Sequence, residues 1–180
     1  RAGASLAKKL NNHKEKSVTV LGGEFALDIA EGIALGNYQF LRYFSKKNKK
    51  ENSLKEVAVA DVTKEQLEEL NILCAQVCHA RDLINTPVWD LTAPQLGDKA
   101  KKAGKEFGFK VEVLNKKKIE ALKMGGLLAV NKGSIDPPVF IVMEHKPANA
   151  KNKKPIVIVG KGVVYDTGGL SLKPTASMDD

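Results

Sequence analysis

The segment IVIVGKGVVYDTGGLSLKPTASMDD, residues 156–180, passes from four uninterrupted β-branched residues into glycines, two lysines, three aspartates and a proline. A short apolar run without alternation, closed by glycine, reads as a strand covered on both faces, which places it in a layered α/β fold. In open α/β sheets ligands gather beyond the carboxyl ends of strands, and Gly160-Lys161-Gly162 stands there. Flanking glycines let the backbone turn tightly and bring Lys161 close to whatever occupies that place. Asp166, followed by Thr167-Gly168-Gly169, is positioned to turn back towards it, and Lys173 arrives on the next extended stretch.

Three chemistries fit these residues. In the first, Lys161 and Lys173 bind phosphate and the glycines supply N–H donors, although Gly162 stands where a Walker A motif needs a hydroxyl. In the second, Asp166 ligates a metal, one lysine helps to hold it and the other polarises substrate. An amine ligates only after losing its proton, so burial and adjacent cations must favour the neutral form. In the third, lysine and aspartate form a structural ion pair in a loop.

Composition narrows the class. The chain has 180 residues, 43% of them hydrophobic, enough for one good core or two small ones. Its apolar runs fall well short of the roughly 20 residues a membrane-spanning helix needs, and the N-terminus lacks an apolar signal core, so the expectation is a cytoplasmic protein without a membrane segment. Cys74 and Cys78, four apart in a helical stretch, suit core packing better than a disulfide. With only His79 beside them they are a weak zinc signal. The net charge is +8, and lysines cluster at 8–9, 46–50, 99–105, 116–118 and 151–154. Such a surface attracts nucleic acid through counterion release, so a basic nucleic-acid-binding module is the alternative function. Against it, aromatic residues are only 6% and none is interleaved with the lysines for stacking.

Helical and strand-like segments alternate along the chain. The pattern predicts a helix over 2–14, a strand over 17–21, a helix over 24–43 in which Gly32 and Gly36 permit close approach of another helix, and a strand over 56–60. Thr63 with Gln66 makes a capping box that opens a long helix burying Leu67, Leu70, Leu73, Cys74, Val77 and Cys78. Asn85-Thr86-Pro87 ends that helix. Thr92 and Pro94 start the next, which Gly108 closes. A strand over 110–114, a short helix over 119–123, and buried strands over 138–144 and 156–159 complete the pattern.

The sequence from Val159 to Pro174, with Met178-Asp179 after it, closely resembles the metal-binding signature of the leucine aminopeptidase (cytosol aminopeptidase) family of metallopeptidases. Ala80-Arg81-Asp82-Leu83-Ile84-Asn85-Thr86-Pro87 with Leu91-Thr92-Ala93-Pro94 resembles that family's entry into its catalytic domain. Met124-Gly125-Gly126-Leu127-Leu128-Ala129-Val130, Gly133-Ser134 and Pro137-Pro138 match in order and spacing. Ala30-Glu31-Gly32 and Tyr38-Gln39-Phe40 are looser matches.

The resemblance implies a fold and a chemistry. Residues 1–62 would be the C-terminal part of an N-terminal α/β domain, 63–85 a linking helix, and 86–180 the beginning of a mixed-sheet α/β metallopeptidase catalytic domain. Lys161 would ligate one of two divalent ions, zinc or manganese, as a neutral amine, and Asp166 would be a carboxylate near both. Lys173 would be the catalytic cation that polarises the scissile carbonyl. The metals would activate the attacking water and hold the free α-amino group of a peptide. The family's remaining ligands and a catalytic arginine are expected beyond residue 180, since Asp179 and Asp180 do not stand at ligand positions. The chain is therefore read as a fragment, inactive alone, of a cytoplasmic homohexamer.

Overall fold

The structure is a computed structural model and describes residues 1–46, 48–163 and 172–177. The chain divides into two units, Arg1–Thr86 and Pro87–Asp180.

The first unit contains α1 (Ala2–Asn12), β1 (Ser17–Val20), α2 (Ala26–Gly36), β2 (Glu56–Val59) and α3 (Lys64–Asn85). β1 and β2 run parallel, with Ser17 beside Glu56 and Val20 beside Val59. Parallel neighbours need a crossover connection, and α2 lies within it. Ala7, Val20, Ala26, Ala30, Ile33 and Leu54 form the buried core. Small residues set the α1–α2 distance: a Cβ on Gly3 would lie 2.5 Å from the Ile29 carbonyl oxygen, and one on Gly36 2.5 Å from Ala4 Cα. The close approach expected at Gly32 and Gly36 is thus present.

α2 ends at Gly36 instead of reaching Tyr43. Asn37 is the reason. Its Oδ1 accepts from Asn11 Nδ2 at 2.8 Å and from Asn52 Nδ2 at 3.0 Å, while its own Nδ2 donates to the Leu54 carbonyl at 2.9 Å. These bonds hold the chain in a turn where helical periodicity alone would continue.

α3 opens with the anticipated capping box: Thr63 Oγ1 accepts from Gln66 N at 3.2 Å and Gln66 Oε1 from Thr63 N at 2.9 Å. Cys74 is buried on the side packed against α2. Leu73, expected in the buried stripe, is instead 43% exposed, because consecutive helical positions point about 100° apart and Cys74 takes the inward direction. Removing the cap with Thr63→Ala should cost about 1 kcal/mol. Urea unfolding would register this as a lower midpoint with an unchanged slope.

The second unit contains α4 (Ala93–Phe107), β3 (Lys110–Leu114), α5 (Lys116–Ala121), α6 (Gly125–Asn131) and β4 (Phe140–Glu144), with a 3-10 turn at Thr175–Ser177. Gln95 Oε1 accepts from Thr92 N at 2.7 Å at the start of α4. Gly108 closes the helix at φ 73°, a backbone region open to glycine without penalty. β3 and β4 pair antiparallel, Lys110 opposite Glu144 and Leu114 opposite Phe140. α4 lies on this ribbon through two buried glycines. A Cβ on Gly97 would sit 3.0 Å from Val113 Cγ1, and one on Gly104 2.5 Å from Val111 Cγ2.

Four expectations for this unit differ from the structure. The short helix starts earlier, at Lys116, because Asn115 Oδ1 caps it by accepting from Lys118 N at 3.1 Å. Gly125–Asn131, to which the pattern assigned no element, form α6. β4 is largely exposed, since α4 covers one face of the ribbon and Phe140 and Val142 lie on the other. Ile156–Val159 belong to no strand and are between 76 and 91% exposed. Among the described residues the strands of this unit are β3 and β4, which pair with each other, so the run has no ladder partner there.

Candidate functional site

Gly160-Lys161-Gly162 leaves the apolar run as extended chain, and Val163 N donates to the Lys161 carbonyl at 3.1 Å in a tight turn about Gly162. A Cβ at Gly162 would stand 3.8 Å from Leu96 Cδ2, so the segment passes along α4. Lys161 is exposed, and Lys173 is half-buried just ahead of the 3-10 turn. Asp166 lies outside the described residues, as do Asp179 and Asp180. Lys161 and Lys173 are therefore placed individually, with no geometry linking either to Asp166.

The donor set itself tests whether this chain suits a metal. An amine and a carboxylate are acceptable ligands, but two divalent ions need about four or more donors each. Among the described residues no cluster of three or more His, Cys, Asp and Glu side chains supplies the rest. Lys161 and Asp166 fit as part of a ligand set that other residues would complete.

Residues 81–85 form a second constellation, in the first unit. Tyr38 Oη donates to Asp82 Oδ1 at 2.7 Å and accepts from Asn85 Nδ2 at 3.2 Å. Arg81 lies 5.4 Å from the Tyr38 ring centroid and donates from Nη1 to the Leu35 carbonyl at 2.6 Å. Desolvation raises the Tyr38 hydroxyl above its ordinary range; Asn85 opposes this, and the Asp82 carboxylate adds to the rise. Sequence reading placed Tyr38 and Asp82 in separate motifs, and with 44 residues between them no local signal joined the two.

The cysteines are free thiols, Cys74 buried and Cys78 half-buried. Burial pushes the Cys74 thiol up, with the Glu31 charge and Cys78 adding to it. Because the thiolate is the reactive form, iodoacetamide should modify Cys78 well before Cys74. Peptide mass mapping over a time course at pH 8 reads the order.

The described lysines of the basic clusters lie in solvent, some paired locally: Lys49 with Glu51 at 2.8 Å and Lys101 with Asp98 at 3.7 Å. Pairs as exposed as these contribute little stability. Among the described residues no helix is long and apolar enough to cross a membrane.

Residues 78–180 match the catalytic domain of the cytosol aminopeptidase family. A probable cytosol aminopeptidase of Chlorobaculum tepidum is 43% identical over 171 residues, covering 87% of this chain and 34% of that protein. The chain thus spans about a third of the length of that curated relative, and about a fifth of its Chlorobaculum parvum counterpart, 57% identical over 101 residues. Among solved structures, the leucine aminopeptidase of Caenorhabditis elegans superposes with a TM-score of 0.75 at 31% identity, over 98% of this chain and 37% of that one. The bottromycin maturation enzyme BotP, in complex with Mn, gives 0.76 at 29%, over 97% and 38%. Nothing in these similarities supports a nucleic-acid-binding function.

Proposed function

Because the chain belongs to the cytosol aminopeptidase family, we propose that the full-length protein is a two-metal aminopeptidase that releases N-terminal amino acids, leucine among them, from peptides. The observation that carries this reading is the order Lys161, Asp166, Lys173 in a glycine-rich segment inside the matched stretch. Lys161 would hold one metal through its neutral amine, and Asp166 would hold metal through a carboxylate near both ions. Lys173 keeps its proton and directs it at the substrate carbonyl, where negative charge develops. When bound, the divalent ions supply Lewis acidity and a binding point for the free α-amino group. Zinc and manganese both suit a mixed nitrogen and oxygen donor set, and the Mn complex of BotP favours manganese. On the same proposal the full-length protein is a cytoplasmic homohexamer; the family's name supports the compartment, and the resemblance of the signature supports the assembly.

Metal removal tests the reading. Full-length protein dialysed against a chelator should lose hydrolysis of leucine p-nitroanilide and regain it with Mn²⁺ or Zn²⁺, while the 180-residue chain remains inactive in either ion. Undiminished turnover after chelation, with metal absent by elemental analysis, would overturn the two-metal assignment.

A further inference from the structure

We infer that Arg81, Asp82 and Asn85 form a latch on Tyr38 that fixes the last turn of α3 and the point where the chain departs at Pro87. Helices fray at their C-termini, where the last carbonyls lack intrahelical partners. Here Asp82 bonds through two parts of the residue. Its carbonyl accepts from Thr86 N at 3.0 Å and from Thr86 Oγ1 at 2.6 Å, closing the turn. Its side chain accepts from Tyr38 Oη, which Asn85 also reaches.

Arg81 secures the other side by spanning from the Tyr38 ring to the Leu35 carbonyl at the end of α2. Three residues of one helical turn thus grip a single tyrosine from the α2–β2 connection. Pro87 then prevents the helix from continuing. The same turn exposes Ile84 almost completely, so apolar burial of that residue does not hold it in place. Polar contacts to Tyr38 take that part, and the aminopeptidase reading is not needed for it.

Amide hydrogen exchange on the full-length protein tests the latch. Tyr38→Phe keeps the ring under Arg81 and removes the donor to Asp82; Asp82→Ala removes the acceptor. Each should speed exchange at residues 83–86 by about three- to tenfold, leaving residues 70–74 of the same helix unchanged. Since both variants break one shared interaction, the double variant should exchange no faster than the faster single one. Unchanged exchange at 83–86, a rise spread evenly along α3, or multiplicative effects in the double variant would overturn the inference.

Discussion

Lys161→Met in the full-length protein is expected to lower kcat/KM on leucine p-nitroanilide by on the order of 10³-fold or more, with loss of bound metal and little change in fold. Methionine preserves the length and apolar stem of the side chain while replacing a nitrogen ligand with a soft thioether, a poor donor to manganese. The structural cost should be small because Lys161 is exposed and followed by a glycine in open chain. Lys173→Met separates the two lysine roles. Loss of a cation facing developing negative charge costs about 10²- to 10³-fold in kcat, and metal content should stay near the parent level. Elemental analysis beside kinetics therefore distinguishes ligand from polariser. A Lys161→Met protein that retains both its metal and its turnover would remove Lys161 from the site.

Gly3→Ala should destabilise the first unit by about 1–3 kcal/mol, the cost of overpacking a close contact. The added methyl would meet backbone on three sides: Ile29 O at 2.5 Å, Ile33 N at 2.7 Å and Gly32 C at 2.8 Å. Backbone cannot step aside as a flexible side chain does, so α1 must move off α2 and loosen the contact that buries Ala7 and Ile33. Gly126→Ala provides the contrast. Nothing lies within 4 Å of a Cβ there, so the same methyl meets no neighbour and should leave stability nearly unchanged. Denaturant titration should therefore show a clear loss at residue 3 and little change at residue 126 for the same chemical change. Equal losses would mean that the α1–α2 distance is not what restricts residue 3.

Local rules and distant contacts account for different parts of the fold. The opening of α3 was written in Thr63 and Gln66, three residues apart, and the close of α4 in Gly108; each is decided within one turn of helix. The end of α2 was not, because Asn37 is held by Asn11, Asn52 and Leu54, at separations that periodicity does not sample. Gly125 and Gly126 start a helix to which the pattern assigned no element, since the first turn of a helix tolerates residues that disfavour its interior. Lys161, Asp166 and Lys173 were readable as a set only through resemblance. Spacing alone left a metal site and a phosphate loop open beside a structural ion pair, which it favoured, and Asp166 falls outside the described residues.

The uncovered Ile156–Val159 run has a consequence during synthesis. Translation adds about 5–20 residues per second, so a sticky tetrapeptide leaves the ribosome before later residues exist to shield it. Lys151, Lys153, Lys154 and Pro155 immediately precede it, and Lys161 follows one residue after it. Cations and a proline bordering an apolar segment act as gatekeepers: like charges on neighbouring nascent chains repel, and the proline cannot donate to a common ladder. The same lysines that look like an invitation to polyanions would then serve to keep sister polypeptides apart on a crowded polysome.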